Sequence, residues 1–453
     1  MADSSSRLVR MLDELGRVTD EPGRLTRTFL SPAMRRANHL VGDCMKAAGL
    51  KVRVDSVGNL IGRLEADCGA GSPNPAVGRL RGGVRRPRPT KTLLLGSHLD
   101  TVRDAGKFDG PLGVLLPIVA LAELKRRGVK LPFAVEVLGF SEEEGVRFAS
   151  AYLGSEGYTG RLKPATLALR DADGVSVGEV LKKFNGGKFS LPKPAHRRGD
   201  LLGYVEVHIE QGPVLEARKL AVGVVSAIAG QSRFKLTWTG KAGHAGTTPM
   251  TLRRDALAGT AEFISGVEGI ARRTPGLVAT VGVVTVSSGA ANVIPGEVVH
   301  TLDVRHARDA VRRAALFKLG RLAAGIAKKR GLKVAWRRTQ ENAAVDCSPR
   351  LTAQLARSVQ AVQGRSLSLV SGAGHDGVVM STLTPVAMLF VRCRGGLSHH
   401  PGEYASPKDL GVALQVMVDF LERLAAEQRL TPLPAAAGPA FVPGSRRGRN
   451  RGK

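Results

Sequence analysis

Apolar residues follow two different periods along this chain. At 91–98 (KTLLLGSH) and 133–140 (FAVEVLGF) they form short, nearly continuous runs, the pattern of strands buried on both faces. Between them, 112–127 reads as a helix. Residues 31–49 (SPAMRRANHLVGDCMKAAG) predict another, with Ser31 as N-cap, Pro32 in the first helical position and Gly49 as the stop. Residues 51–64 (KVRVDSVGNLIGRL) alternate like two strands about a turn at Gly58. Buried strands alternating with helices predict an α/β fold, a mostly parallel sheet with helices on both faces.

The pattern changes in the middle of the chain. Residues 232–240 (SRFKLTWTG) alternate as a half-exposed strand. A helix near 252–273, strands at 276–286 and 296–307, a helix at 309–330 and a strand at 333–339 follow. That order is βαββαβ, the split unit of a small ferredoxin-like α+β domain. Buried-strand character then returns at 367–377 and 385–392, and a last helix covers 408–427. The expected organisation is a discontinuous large domain (1–220 and 340–433), an inserted one (221–339) and a basic, disordered tail (434–453).

Composition narrows the class. With 453 residues, 43% of them apolar, the chain can build real cores. Its longest apolar run, 113–124 (GVLLPIVALAEL), is too short to span a bilayer, which takes about 20 residues. The N-terminus lacks the apolar region of a secretory signal. Cys44, Cys68, Cys347 and Cys393 are scattered without metal-ribbon spacing, and a cytoplasmic setting is expected. The formal charge is +28, and two basic clusters stand out, both in Gly- or Pro-rich segments, 78–91 and 444–453. Aromatics make up only 4% of the chain, too few for stacking platforms, so no dedicated nucleic-acid partner is expected. Residues 67–90, with five glycines and four prolines, read as a surface insertion.

Candidate chemistry lies at strand ends. His98 and Asp100 follow TLLLG, and Asp109 stands just before a helix. The run 140–148 (FSEEEGVRF) closes an apolar strand with three glutamates. His208 and Glu210 lie in 205–212 (VEVHIEQG), and His399 and His400 in 396–403 (GLSHHPGE). Singly, each has a plain structural explanation: a core histidine, a helix cap, a solvated acidic face. Together they put imidazoles and carboxylates beyond the carboxyl ends of several strands, where open α/β sheets bind ligands. Such donors suit Zn, Mn, Co or Ni, and a bridging carboxylate with further ligands on each side makes a two-metal hydrolase centre.

In order along the chain, GSHLDTV…GKFDGPLGV, SEEEGVRF, VEVHIEQGPVLE, GKAGHAGTTPM, ANVIPG, LDVRH, SGAGHDG and LSHHPGE resemble the signature segments of the M20-type metallo-amidohydrolases. The nearest branch comprises allantoate amidohydrolase, N-carbamoyl-L-amino-acid hydrolase and β-ureidopropionase. The resemblance runs from about residue 20 to about residue 430, and RLTRTFLSPA (24–33) looks most like the allantoate enzymes. It implies two divalent ions per chain, manganese foremost, with zinc, cobalt or nickel as alternatives. His98 then binds one ion and Asp109 bridges both. Asp100 orients His98 through the ring nitrogen turned away from the metal. Glu144 is a ligand and Glu143 the general base, with Glu142 leaving that register open by one residue. His208 completes the first metal site with Glu144 or its neighbouring acid, and His399 the second, preferred over His400 on the SH-x-P pattern.

The resemblance further implies that His244 stabilises the oxyanion once the domains close, often in the neighbouring subunit of a homodimer. Arg305 takes the substrate carboxylate, and Gln211, Asn292 and His375 make further substrate contacts. The expected partner is a small ureido acid, most simply allantoate, cleaved to ureidoglycine, ammonia and carbon dioxide. N-carbamoyl-L-amino-acid hydrolysis is the close alternative; an M20 peptidase or a catalytically silent basic binder is more distant. Arg392 and Arg394 depart from the pattern and suit either an extra anionic group or plain solvation.

Overall fold

A computed structural model describes residues 2–67, 90–287 and 289–430. The insertion at 67–90, apart from its end residues, and the tail at 434–453 lie outside the described residues. Two sheets organise the chain. The larger has nine strands, and its centre is four parallel strands in the order Ala134–Phe140, Thr92–His98, Leu201–Ile209 and Val386–Val391. Antiparallel strands flank this centre. Leu60–Leu64 carries Lys51–Val54 on one side, and Val222–Ile228 lies on the other. Strand parity sorts the faces. Leu93, Leu95, Val135, Val137, Val205 and Val207 pack into the main core, whereas Leu94, Leu138, Phe140 and Tyr204 enter a second cluster on the opposite face.

Local signals become elements as their chemistry dictates. Ser31 caps helix Pro32–Ala48 by accepting from the Met34 amide, and Gly49 ends it with φ 96°. Helices Pro111–Arg126 and Pro407–Leu430 carry most of their buried residues into the main core. No helix among the described residues is long and apolar enough to cross a membrane. Cys44, Cys347 and Cys393 carry free thiols.

The second sheet has five strands, with Val284–Ser287, Glu297–His306, Gly230–Thr239 and Lys333–Asn342 in spatial order. Helices Ala256–Arg272 and Asp309–Arg330 cover one face over their own core, which includes Trp238, Phe263, Leu302 and Leu319. The strand expected at 276–286 is broken in two. Val278–Thr280 and Val284–Ser287 both pair with Glu297–His306. At the break three residues, 281–283, stand opposite two, 301 and 302; the Val283 amide donates to the Thr301 hydroxyl at 3.1 Å while its carbonyl still accepts from the Thr301 amide at 3.0 Å. The chain passes from the large sheet to the small one between Ile228 and Gly230 and returns between Asn342 and Val345. Strand Val222–Ile228, inside the 221–339 segment, therefore belongs to the large sheet.

Candidate metal centre

Four segments of the large sheet deliver the cluster. His98 is the last residue of its strand, and His208 lies next to the end of the neighbouring parallel strand. Parity turns Glu206 and His208 toward the Tyr204 face, away from the main core. Glu142–Glu144 follow strand Ala134–Phe140, and His399 follows Val386–Val391 by a short loop. Asp109 precedes helix Pro111–Arg126. Gly110, at φ 81°, lets that loop pass beside the imidazole: a β-carbon there would fall 2.4 Å from the His98 ring.

The Asp109 carboxylate stands between two sets of donors. Oδ1 lies 3.0 Å from His208 Nε2 and 3.5 Å from His98 Nε2. Oδ2 lies 3.3 Å from His399 Nε2, which is itself 3.5 Å from Glu144 Oε1. Three ligand triads converge: His98, Asp109 and His208; Asp109, Glu144 and His399; and His98, Glu143 and Glu144. Glu144 thus falls with His399 rather than with His208. Glu142 joins none of these triads, and its Oε1 accepts from the Gly145 amide. His400 Nδ1 instead accepts from the Gly402 amide in its own turn.

A surrounding shell fixes these groups. His98 Nδ1 faces the Asp100 carbonyl oxygen at 3.0 Å and its Oδ1 at 3.4 Å. The Asp100 carboxylate also accepts from the amides of Glu143 (3.0 Å) and Glu144 (3.1 Å), joining the histidine strand to the glutamate run. Asp109 Oδ2 accepts from Ser398 at 2.6 Å and Gln211 at 2.7 Å. Glu403 accepts from the amides of Phe108 and Asp109 (2.9 and 3.0 Å), and its Oε2 lies 3.0 Å from the Ser398 hydroxyl oxygen. Gln211 and His399 both hold left-handed backbone, φ 55° and 56°, a conformation costly for residues other than glycine.

Charge in the cluster is unbalanced. Burial pushes the Glu143 carboxyl well above the ordinary range; Glu144, Asp376 and Asp100 add to this against an opposing His98. Burial and the neighbouring Asp109 push Glu144 up to about 7. Burial would raise Asp109 too, but His208, His399 and His98 hold it well below the usual carboxylate range. Its hydrogen bond to Asp109 lifts His399 to about 9. Glu142 Oε2 and Gln211 Oε1 are buried without a hydrogen-bond partner among the described residues. Crowded carboxylates, orphaned oxygens and imidazoles around one bridging acid fit divalent cations of the zinc and manganese kind.

Residues 94–423 match peptidase family M20/M25/M40. The chain belongs to that family. It is 40% identical to allantoate deiminase of Arabidopsis thaliana over 445 residues, covering 91% of this chain and 81% of the relative. It is equally, 40%, identical to N-carbamoyl-L-amino acid amidohydrolase of Geobacillus stearothermophilus over 420 residues, covering 92% and 98%. A crystal structure of a hydantoinase/carbamoylase family amidase from Burkholderia multivorans superposes with a TM-score of 0.83 at 31% identity, covering 93% of this chain and 98% of that one. Enzymes of the M20 family are metal-dependent, in keeping with the buried histidine–aspartate group found here.

The M20 chain places the remaining candidates in two groups. His375 is buried against His208, ring centroids 4.5 Å apart, and its Nε2 lies 2.8 Å from the Ser371 hydroxyl. Burial and the nearby His208 depress its pKa well below that of a free histidine, which keeps the ring neutral. Arg305, His244 and Asn292 belong to the inserted segment. His244 lies in the short strand Gly243–His244, which pairs with Val293–Ile294, and the Asn292 carbonyl accepts from the Ala245 amide. Both side chains are exposed and make no hydrogen bond to the histidine–aspartate cluster among the described residues. Sequence reasoning passed over Ser398, Glu403 and Glu206. Parity with His208 marks Glu206; nothing local marks Glu403 as a partner of the Asp109 loop.

Proposed function

We propose that this chain is a metal-dependent amidohydrolase that cleaves the ureido C–N bond of a small ureido acid, with allantoate the favoured substrate. The observation that carries the reading is the Asp109 carboxylate, which offers one oxygen to the His98–His208 side and the other to the Glu144–His399 side. Two divalent ions fit that arrangement, manganese foremost, with zinc, cobalt or nickel suited to the same donors. Bound there, such ions acidify a water and polarise the ureido carbonyl.

The chain's own residues do the rest. Glu143, buried beside His98, takes the proton of the attacking water and passes it to the departing nitrogen. Asp100 and His98 hold each other, and the Asp100 carboxylate keeps Glu143 and Glu144 in register. Ser398 and Gln211 tether Oδ2 of Asp109, the oxygen on the Glu144–His399 side. Arg305 receives the substrate's carboxylate, and Gln211, Asn292 and His375 contact the rest of it. His244, exposed on the inserted segment, stabilises the developing oxyanion on closure of residues 230–342 in a homodimer.

The relative from Geobacillus stearothermophilus, as similar as the plant allantoate deiminase, supports a second reading, N-carbamoyl-L-amino-acid hydrolysis. Ammonia release from allantoate, measured beside hydrolysis of carbamoyl-β-alanine and several carbamoyl-L-amino acids with Mn²⁺, separates them. Allantoate with the highest kcat/KM supports the first reading; a carbamoyl amino acid ahead of it supports the second; no turnover of any defeats both.

A further inference from the structure

Asp303 sits opposite Arg233 in the antiparallel ladder of the small sheet, and Arg305 sits opposite Gln231. Alternation puts all four side chains on the face turned away from the helices. The Asp303 carboxylate is saturated by them. Its Oδ1 accepts from Arg305 Nε at 2.9 Å. Its Oδ2 accepts from Arg305 Nη2 at 2.9 Å, Arg233 Nε at 2.8 Å and Gln231 Nε2 at 2.8 Å. Arg305 Nη1 donates to the Gly372 carbonyl at 2.7 Å, in the loop leading to His375. Arg233, Asp303, Arg305 and Gly372 line one cavity of about 620 Å³, to which Lys235 adds a third cation. Burial raises the Asp303 carboxyl, but its bonds with Arg305 and Arg233 hold it below its ordinary value.

We propose that Asp303 is the positioning residue of the acid-binding end: it fixes the guanidiniums of Arg305 and Arg233 side by side at the cavity wall, so that both serve one anionic group of the substrate. The inference rests on the proposed role of Arg305 and adds Arg233 as a second determinant of specificity. The bidentate contact uses Nε and one N–H of Nη2, and the Gly372 carbonyl takes one N–H of Nη1, which fixes the guanidinium plane and leaves one N–H on each Nη group for a ligand. Without it a long, flexible side chain samples many rotamers, and a bidentate contact depends on a pre-set fork. Three cations against one carboxylate leave the cavity net positive, in keeping with an anionic ligand.

The test is Asp303→Asn in the full chain, loaded with Mn²⁺ and assayed on the best ureido acid and on its primary-amide analogue. The expected result is a KM for the acid raised about tenfold, with the loss on KM rather than kcat, metal content retained, and preference for acid over amide reduced; tenfold corresponds to about 1.4 kcal/mol. Asp303→Glu should recover part of that preference, which a merely structural defect would not allow. Arg233→Gln should weaken the acid by a smaller factor, and it carries the test where Asp303→Asn fails to fold. Arg305→Ala separates the two levels. If Arg305→Ala abolishes the acid preference while Asp303→Asn and Arg233→Gln leave it intact, the inference alone is overturned. If Arg305→Ala leaves it intact, the role of Arg305 falls and the inference falls with it.

Discussion

One strand of the large sheet carries two kinds of buried carboxylate. In the middle of Ala134–Phe140, Glu136 is enclosed by Arg63 (3.0 Å), the Tyr158 hydroxyl (2.8 Å) and His196 (3.0 Å). Burial alone would raise it, yet these partners bring it down to about 2. Just past the end of the same strand, burial pushes Glu143 and Glu144 the other way, and nearby acids add to it against the histidines. The first carboxylate is neutralised by the chain. The second group is not, and a cation held there would supply what the chain withholds. Along this strand, then, the depressed Glu136 fastens the fold, whereas Asp109, also depressed, owes its shift to the histidines of the cluster itself.

Three measurements put that contrast at risk. The largest effect is expected from exhaustive chelation, which should abolish turnover, with activity returning on addition of Mn²⁺. Full activity after chelation would remove the metal reading of the glutamate run. Next comes the division of labour between adjacent acids. Glu143→Gln should keep bound metal and lose about 10²–10⁴-fold in kcat, the range of general acid–base catalysis. Glu144→Gln should lose metal, read by elemental analysis. The opposite pattern would shift the base by one position.

The smallest effect concerns Glu136. Its folded pKa, about 2, lies below the ordinary 4.5, so ionisation of this group stabilises the fold above pH 4.5. That contribution fades as pH falls from there toward 2. The shift corresponds to about 3 kcal/mol, and Glu136→Gln should lower stability at pH 7 by up to that amount. Denaturant titrations of both proteins should draw together as the pH falls from 4.5 and meet near pH 2. A gap independent of pH would mean that Glu136 contributes through packing rather than charge.

Much of the cluster was visible beforehand because its parts are local. Apolar strands ending in His98, Glu142–Glu144 and His208 declare themselves by composition and parity, and strand ends in such sheets are where ligands bind. The helix Pro32–Ala48 was equally plain, since its cap and stop lie within the segment. What escaped depends on distance. Glu403 holds the amide of Asp109 across 294 residues of sequence. The break at Val281–Val283 depends on Thr301, in the next strand. Strand Val222–Ile228 joins the large sheet through a partner, Val386–Val391, far along the chain.

Periodicities, caps and the residue types at each strand end follow from amino-acid order alone, because these depend on neighbours within a few positions. That one oxygen of Asp109 faces His208 and the other His399, that Glu142 stays outside the triads, and that Arg305 is braced by Asp303 emerges only in the folded chain. Those choices are set by where separate loops and strands meet, and side-chain direction at such a meeting is fixed by packing from every side at once.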